Sequence, residues 1–234
     1  MARKQKEKVV YIKVWEMPVR FVHWMTFVSI ITLGISGYYI GNPAFSMPAE
    51  ASASHTVGNI RFIHFAAAYL LIACFLIRLY WGFVGNRFSR WTTMLPHTKE
   101  RWKGIFSEIE DLLKPRGRLR IYTGHSPAAN LIYLFVYLGI FFSILTGLSL
   151  YAQSHYTPFW RQIAYFGLAL FGDLNTIHLL HRLMMWFFAL MILLHLYFVI
   201  YTVVVSRTTE IDTMFSGMKF VFESELAEEA EEKA

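Results

Sequence analysis

The sequence predicts an all-α integral membrane protein: a bundle of four spanning helices with both termini in the cytoplasm. Composition, four apolar runs and the placement of Lys and Arg carry this prediction. Of 234 residues, 56% are hydrophobic, 18% aromatic and only 16% charged, whereas a soluble domain carries about 25% charge. The runs 20–40, 60–84, 128–151 and 177–205 each reach the roughly 20 helical residues that cross a hydrocarbon layer. The last is longer than the layer requires, so its helix is expected to tilt or to project beyond it.

Basic residues set the orientation. Arg3, Lys4, Lys6, Lys8, Lys13 and Arg20 precede or open the first run, and the connection 85–127 carries nine Lys and Arg from Arg87 to Arg120. The first connection has none until Arg61, and the third has only Arg161. The positive-inside rule therefore puts both ends and the 85–127 loop in the cytoplasm. The formal charge of +6 is mostly this topology signal and gives no argument for nucleic acid.

The chain divides into a cytoplasmic segment 1–19, a four-span domain 20–205 and an acidic cytoplasmic tail 206–234. The first run is full span length with no small-residue cleavage pattern after it, so it reads as an anchor. The stretch 41–59, rich in Ala, Ser, Pro and Gly, reads as an external loop. Lys99 to Leu113 sets Trp102, Ile105, Phe106, Ile109 and Leu112 among charges at helical spacing, an amphipathic surface helix. Pro158 to Phe171 is apolar and aromatic but too short to cross, as expected of a helix at the outer interface or against a partner. The single cysteine, Cys74, lies in the second run. One cysteine supplies neither a covalent haem motif nor an iron–sulfur ligand set.

Four histidines, His23, His64, His181 and His195, lie in the apolar runs. An imidazole in hydrocarbon requires a polar partner or a metal. His181 and His195 are fourteen residues apart, about 1400° of helix rotation, which returns the second side chain to within roughly 40° of the first, about 21 Å along the axis. Topology then pairs His64 with His181 at an outer depth and His23 with His195 at an inner depth. Two bis-histidine haem b sites follow, with these four residues as iron ligands. Two other readings are hydrogen bonding across helices and a zinc or di-iron site encouraged by His178 and His181. The latter gathers several ligands at one depth, often with carboxylates, which the spans lack.

Gly37 lies fourteen residues after His23, at the outer depth, where a missing side chain leaves room for a porphyrin. Arg78 repeats the interval from His64 and points a cation toward the inner site, where haem propionates need one; the alternative is a snorkelling arginine at a helix end. Tyr122 and His125 close the basic loop where the third span begins, a phenol and a titratable imidazole at its cytoplasmic end. A plain helix-start loop, with Pro127 at the first turn, is the competing reading of His125.

These residues resemble a known family, the b-type cytochrome subunits of membrane-bound nickel–iron uptake hydrogenases. Arg20-Phe-Val-His23-Trp24 leading to Leu33-Gly-Ile-Ser36-Gly37 resembles its first signature, and His178-Leu-Leu-His181-Arg182-Leu183 through Trp186 to His195 its second. Arg61-Phe-Ile-His64-Phe65 and Arg78-Leu-Tyr80-Trp81 through Gly85-Asn86-Arg87 are similar to its second-span pattern. The resemblance runs over about 18–205. Ser36 stands where threonine is usual, Leu179 where a small residue is usual, and Ser126 where the Gly-His-Asn-Pro loop has asparagine.

The resemblance implies a bacterial inner-membrane subunit without hydrogen chemistry of its own. It would take electrons from the small subunit of a periplasmic hydrogenase dimer through the outer and then the inner haem, and deliver them to quinone. Partners would be the hydrogenase small and large subunits, quinone and membrane lipid. The cytochrome subunit of another quinone-linked complex, such as formate dehydrogenase, is an alternative. So is a stand-alone di-haem quinol or superoxide oxidoreductase.

Overall fold

A computed structural model describes residues 9–42, 55–95, 98–113, 124, 126–206 and 209–222. The order of elements is β1 (Val9–Lys13), α1 (Met17–Gly41), α2 (Thr56–Val84), α3 (Trp91–Met94), α4 (Lys99–Leu113), α5 (Pro127–Ala152), α6 (Pro158–Phe171), α7 (Leu174–Ser206), α8 (Glu210–Ser216) and β2 (Met218–Phe222). Four of these, α1, α2, α5 and α7, are long and apolar enough to cross a membrane. They are apolar all round, as spanning helices are. Ile35, Phe83, Leu193 and Val204 lie exposed on their outer surfaces, where hydrocarbon solvates them.

All four spanning helices start earlier than the hydropathy runs: α1 at Met17, α2 at Thr56, α5 at Pro127 and α7 at Leu174. Window averages miss a first turn that mixes apolar and polar residues. The 206–234 segment is also not a uniform tail. It contains α8 and β2, and β2 pairs antiparallel with β1 in the register Val9↔Phe222 to Lys13↔Met218. The acidic residues 223–234 lie outside the described residues.

The chain forms two units. Unit 1 comprises 1–21, 78–134 and 195–234; unit 2 comprises 22–77 and 135–194.

In unit 1 the sheet stands over a cluster of Val14, Trp15 and Val19, against which Ile12, Trp81, Phe88 and Met214 pack. Gly217 ends α8 in the left-handed region, φ 82°, which glycine adopts without a Cβ penalty. Its carbonyl accepts the N–H groups of Val14 and Trp15 at 2.9 and 3.2 Å. Lys219 is buried on β2 but reaches Glu210 on α8 at 2.5 Å, so its charge is paired. Glu16 Oε2 accepts Trp81 Nε1 at 2.9 Å and the Asn86 backbone N–H at 2.8 Å. Asn86 Nδ2 returns a bond to the Val14 carbonyl at 2.8 Å. The Gly85-Asn86-Arg87 sequence is thus the latch between the end of α2 and the approach to α1.

Also in unit 1, α4 meets the start of α5. Glu108 Oε2 accepts the Ala128 N–H at 2.9 Å and Ser126 Oγ the Ala129 N–H at 3.2 Å, while Pro127 occupies the first helical position. These partners satisfy donors that an α-helix leaves open at its N-terminus. Ser126 is therefore an N-cap, a role asparagine fills equally well. The asparagine-to-serine departure costs this helix start nothing.

In unit 2, Leu71, Ile140 and Phe188 form the buried centre, with Ile30, Leu33 and Phe75 against them. Hydrophobic burial drives little helix association in lipid, so close packing decides it. The α6 helix lies on α5 at Gly167, over Ser149, and also buries Ala164. Asp173 opens α7: Oδ1 accepts the Asn175 and Thr176 N–H groups at 2.8 and 3.1 Å, and Oδ2 accepts the Thr176 hydroxyl at 2.5 Å.

Candidate functional site: a histidine pair over an apolar cavity

His64 on α2 and His181 on α7 meet within unit 2 with ring centres 6.4 Å apart and planes at 71°. Each ring is held from behind in the same way. Ser36 Oγ, on α1, donates its one proton to the Thr32 carbonyl at 2.6 Å and lies 2.9 Å from His64 Nδ1. Thr146 Oγ1, on α5, donates to the Phe142 carbonyl at 3.0 Å and lies 2.9 Å from His181 Nδ1. A hydroxyl has one proton and two lone pairs. With the proton committed to the helix carbonyl, each oxygen accepts from the ring, so Nδ1 carries hydrogen and Nε2 keeps its lone pair.

The residue after each hydroxyl is glycine. A Cβ at Gly37 would stand 3.2 Å from His64 Cε1, and one at Gly147 would stand 3.1 Å from His181 Cε1. The missing side chain at Gly37 thus leaves room for the His64 imidazole, and Gly37 also lines the cavity beside that ring. Thr146 and Gly147 were not singled out from the sequence, and Ser36 only as a departure from the family's pattern. The repeated pair Ser36-Gly37 and Thr146-Gly147 was the available signal.

Both rings line a cavity of about 1290 Å³ that also touches Gly37, Ala68, Ile144 and Met184. Small-molecule sites usually occupy about 300–1,000 Å³, so there is room for a group of porphyrin size. His178, Arg61 and Arg182 stand on its lining, and Arg182 Nη2 donates to Asn42 at 2.9 Å. Two imidazoles on opposite faces of one metal ion, each nitrogen at about 2.0–2.1 Å, have ring centres roughly 6.3 Å apart. The observed separation, the free Nε2 lone pairs and the apolar walls fit a haem. Among the described residues no three His, Cys, Asp or Glu gather into a metal cluster, so the several-ligand zinc or di-iron arrangement has no counterpart there.

The other site residues are placed singly. His23, in unit 2, meets Trp24 edge-on with ring centres 5.1 Å apart. His195, in unit 1, presents an exposed side chain on α7. Arg78, in unit 1, is 1% exposed, which excludes the snorkelling alternative. Its guanidinium donates to Tyr133, to the Ser89 carbonyl at 3.0 Å and to Met94 Sδ at 2.9 Å. It lies over the rings of Trp91 and Tyr133 at 5.0 and 5.3 Å. Its Nη1 is buried without a hydrogen-bond partner among the described residues. Tyr122 and His125 lie outside the described residues.

A multi-pass helical protein that sets two neutral imidazoles across an apolar cavity belongs to the class of membrane haem proteins. The sequence profile of the prokaryotic cytochrome b561 family matches residues 14–217, and the chain belongs to that family. It is accordingly a multi-pass b-type cytochrome of the bacterial inner membrane, with a role in electron transport. Similar proteins include a probable Ni/Fe-hydrogenase B-type cytochrome subunit of Azotobacter vinelandii, 38% identical over 92% of this chain and 90% of that protein. The probable Ni/Fe-hydrogenase 1 B-type cytochrome subunit of Escherichia coli K12 is 35% identical over 93% and 94%. A relative from Cupriavidus necator, also a probable Ni/Fe-hydrogenase B-type cytochrome subunit, is 34% identical over 88% and 86%.

Proposed function

We propose that this chain is the di-haem cytochrome b subunit that passes electrons from a periplasmic nickel–iron hydrogenase to the quinone pool, with its termini in the cytoplasm. The observation that carries the reading is the His64–His181 pair, at 6.4 Å over an apolar cavity. His64 and His181 hold the outer haem b. His23 and His195 hold the inner one, a pairing supported by the fourteen-residue interval along α7. Haem, when bound, supplies a one-electron carrier; the chain contributes position, dielectric and water exclusion.

Electrons enter at the outer pair from the hydrogenase small subunit, move to the inner pair and leave to quinone near Tyr122 and His125. Arg78 offers the inner haem's propionates a desolvated cation, and the exposed apolar faces of the spans rest against lipid. Inward electron movement works against an inside-negative potential at about 2.3 kcal/mol per 100 mV for a full crossing. Proton uptake from the cytoplasm by quinone therefore converts hydrogen oxidation into proton-motive force.

Purification from native membranes in mild detergent tests this reading. Expected are a nickel–iron hydrogenase dimer in the preparation and about two b haems per chain by pyridine extraction. Copurification with a formate dehydrogenase, or quinol or superoxide turnover by the chain alone, supports the alternatives. Haem at one per chain defeats the two-site assignment.

A further inference from the structure

We infer that Ser36-Gly37 and Thr146-Gly147 are twin cradles that fix the tautomer and the plane of the two outer axial histidines, making Ser36 and Thr146 positioning residues for electron transfer. The inference rests on the assignment of His64 and His181 as haem ligands.

The two cradles match feature by feature. Each hydroxyl sits on a helix other than that of the histidine it holds: α1 serves His64 of α2, and α5 serves His181 of α7. Each bonds the carbonyl four residues back in its own helix, and each lies 2.9 Å from Nδ1. Both hydroxyl residues are buried, Ser36 at 6% and Thr146 at 0% exposure, so water does not compete. The following glycine then lets the ring lie against the helix, where a Cβ would crowd Cε1 at 3.2 or 3.1 Å.

Two consequences follow from this chemistry. An imidazole that donates Nδ1–H to an oxygen gains electron density at Nε2, binds iron more firmly and favours the ferric state. Hydroxyl acceptors are weaker than carboxylates, so the push from each is moderate. A ring pinned at Nδ1 and against a glycine also cannot turn about its own iron bond. The 71° between the planes is thereby imposed by the protein, and the angle between axial imidazole planes governs the g-anisotropy of low-spin ferric haem.

The test uses the full chain in its native complex, with Ser36→Ala and Thr146→Val compared with the parent. Low-spin ferric EPR and redox titration of the outer haem are the readouts. Expected are a shifted largest g-value and a raised outer-haem midpoint potential, with the inner haem unchanged. Ser36→Thr and Thr146→Ser, which keep the oxygen, should restore the parent signal and potential. Parent-like EPR and potential in Ser36→Ala and Thr146→Val overturn the inference. Should those variants lose the outer haem, its loss in Ser36→Thr and Thr146→Ser as well also overturns it. His64→Ala and His181→Ala separate the two levels: both haems retained there defeats the ligand assignment itself, whatever the cradles do.

Discussion

Thr146 Oγ1 lies 2.9 Å from His181 Nδ1 and also bonds the Phe142 carbonyl of its own helix, so one hydroxyl joins α5 to the imidazole of α7. The same relation between Ser36 and His64 joins α1 to α2. In lipid, where apolar contact discriminates little between helix arrangements, such directional bonds specify which helices meet and at what depth. The pair is thereby part of the packing as well as of the site.

Truncation of the ligands gives the first prediction. On the proposed assignment, His64→Ala or His181→Ala should lower haem content from about two to about one per chain, with loss of the outer-haem signal. His23→Ala or His195→Ala removes the other signal. Pyridine haemochrome assay and low-temperature optical spectra read both.

Arg78 is the second case. Its buried guanidinium makes hydrogen bonds to Ser89, Met94 and Tyr133, and hydrogen bonds to charged groups contribute about 1.5–3 kcal/mol each where fully desolvated. Arg78→Gln is expected to lower the thermal unfolding midpoint in detergent. Arg78→Lys should recover little, because an ammonium cannot match a planar fork held between Trp91 and Tyr133. Loss of the cation also disfavours the reduced, more negative haem, so the inner-haem midpoint potential should fall. An unchanged potential would remove Arg78 from the propionate role.

Ser126 supplies a stability test with little functional content. Ser126→Ala removes the oxygen that accepts the Ala129 N–H and should destabilise the start of α5 by about 0.5–2 kcal/mol. Ser126→Asn should be near neutral. Thermal unfolding of the detergent-solubilised chain distinguishes them.

The spans and the amphipathic stretches were legible because each rests on local composition. Lys99–Leu113 and Pro158–Phe171 emerge with the bounds that their patterning suggests. Hydropathy carried no sign of β1 and β2, two five-residue strands more than 200 residues apart whose pairing is entirely non-local. The histidines stood out because a polar ring in an apolar run is anomalous. Ser36 and Thr146 did not, because a hydroxyl in a spanning helix is satisfied by its own carbonyl at i−4 and gives no anomaly. Their second bond exists only once the helices are packed. Arg78 was legible as a cation at an unusual depth, yet its aromatic surroundings come from α3 and α5, which no spacing along α2 reveals.

The quinone proposal rests on His125, an imidazole able to change charge near neutral pH at the start of the third span. His125→Ala should keep both haems and hydrogen-driven haem reduction while slowing electron delivery to quinone, by roughly the 10²–10⁴-fold typical of a lost proton-transfer group. Stopped-flow haem reoxidation by a soluble quinone measures it. Unimpaired reoxidation with normal haem content would exclude an essential role for His125.

The last prediction concerns pH. Asp173 lies exposed at the head of α7, one and two turns ahead of His178 and His181, and its carboxyl is held below the ordinary aspartate value, chiefly by the Thr176 hydroxyl and then by backbone N–H bonds. A carboxyl whose folded pKa is depressed binds its proton more readily when unfolded. Its stabilisation is therefore fully present above the unfolded value of about 3.9 and is lost as pH falls through the lower folded value. Proton uptake also removes a negative charge from the positive end of the helix. Hydrogen exchange at the Asn175 and Thr176 amides should stay protected from neutral pH down to about 4 and lose excess protection below it. In Asp173→Asn the amide oxygen still caps, so moderate protection should persist with this acid-dependent step absent. A step of the same size in Asp173→Asn would assign the acid sensitivity to another group on α7.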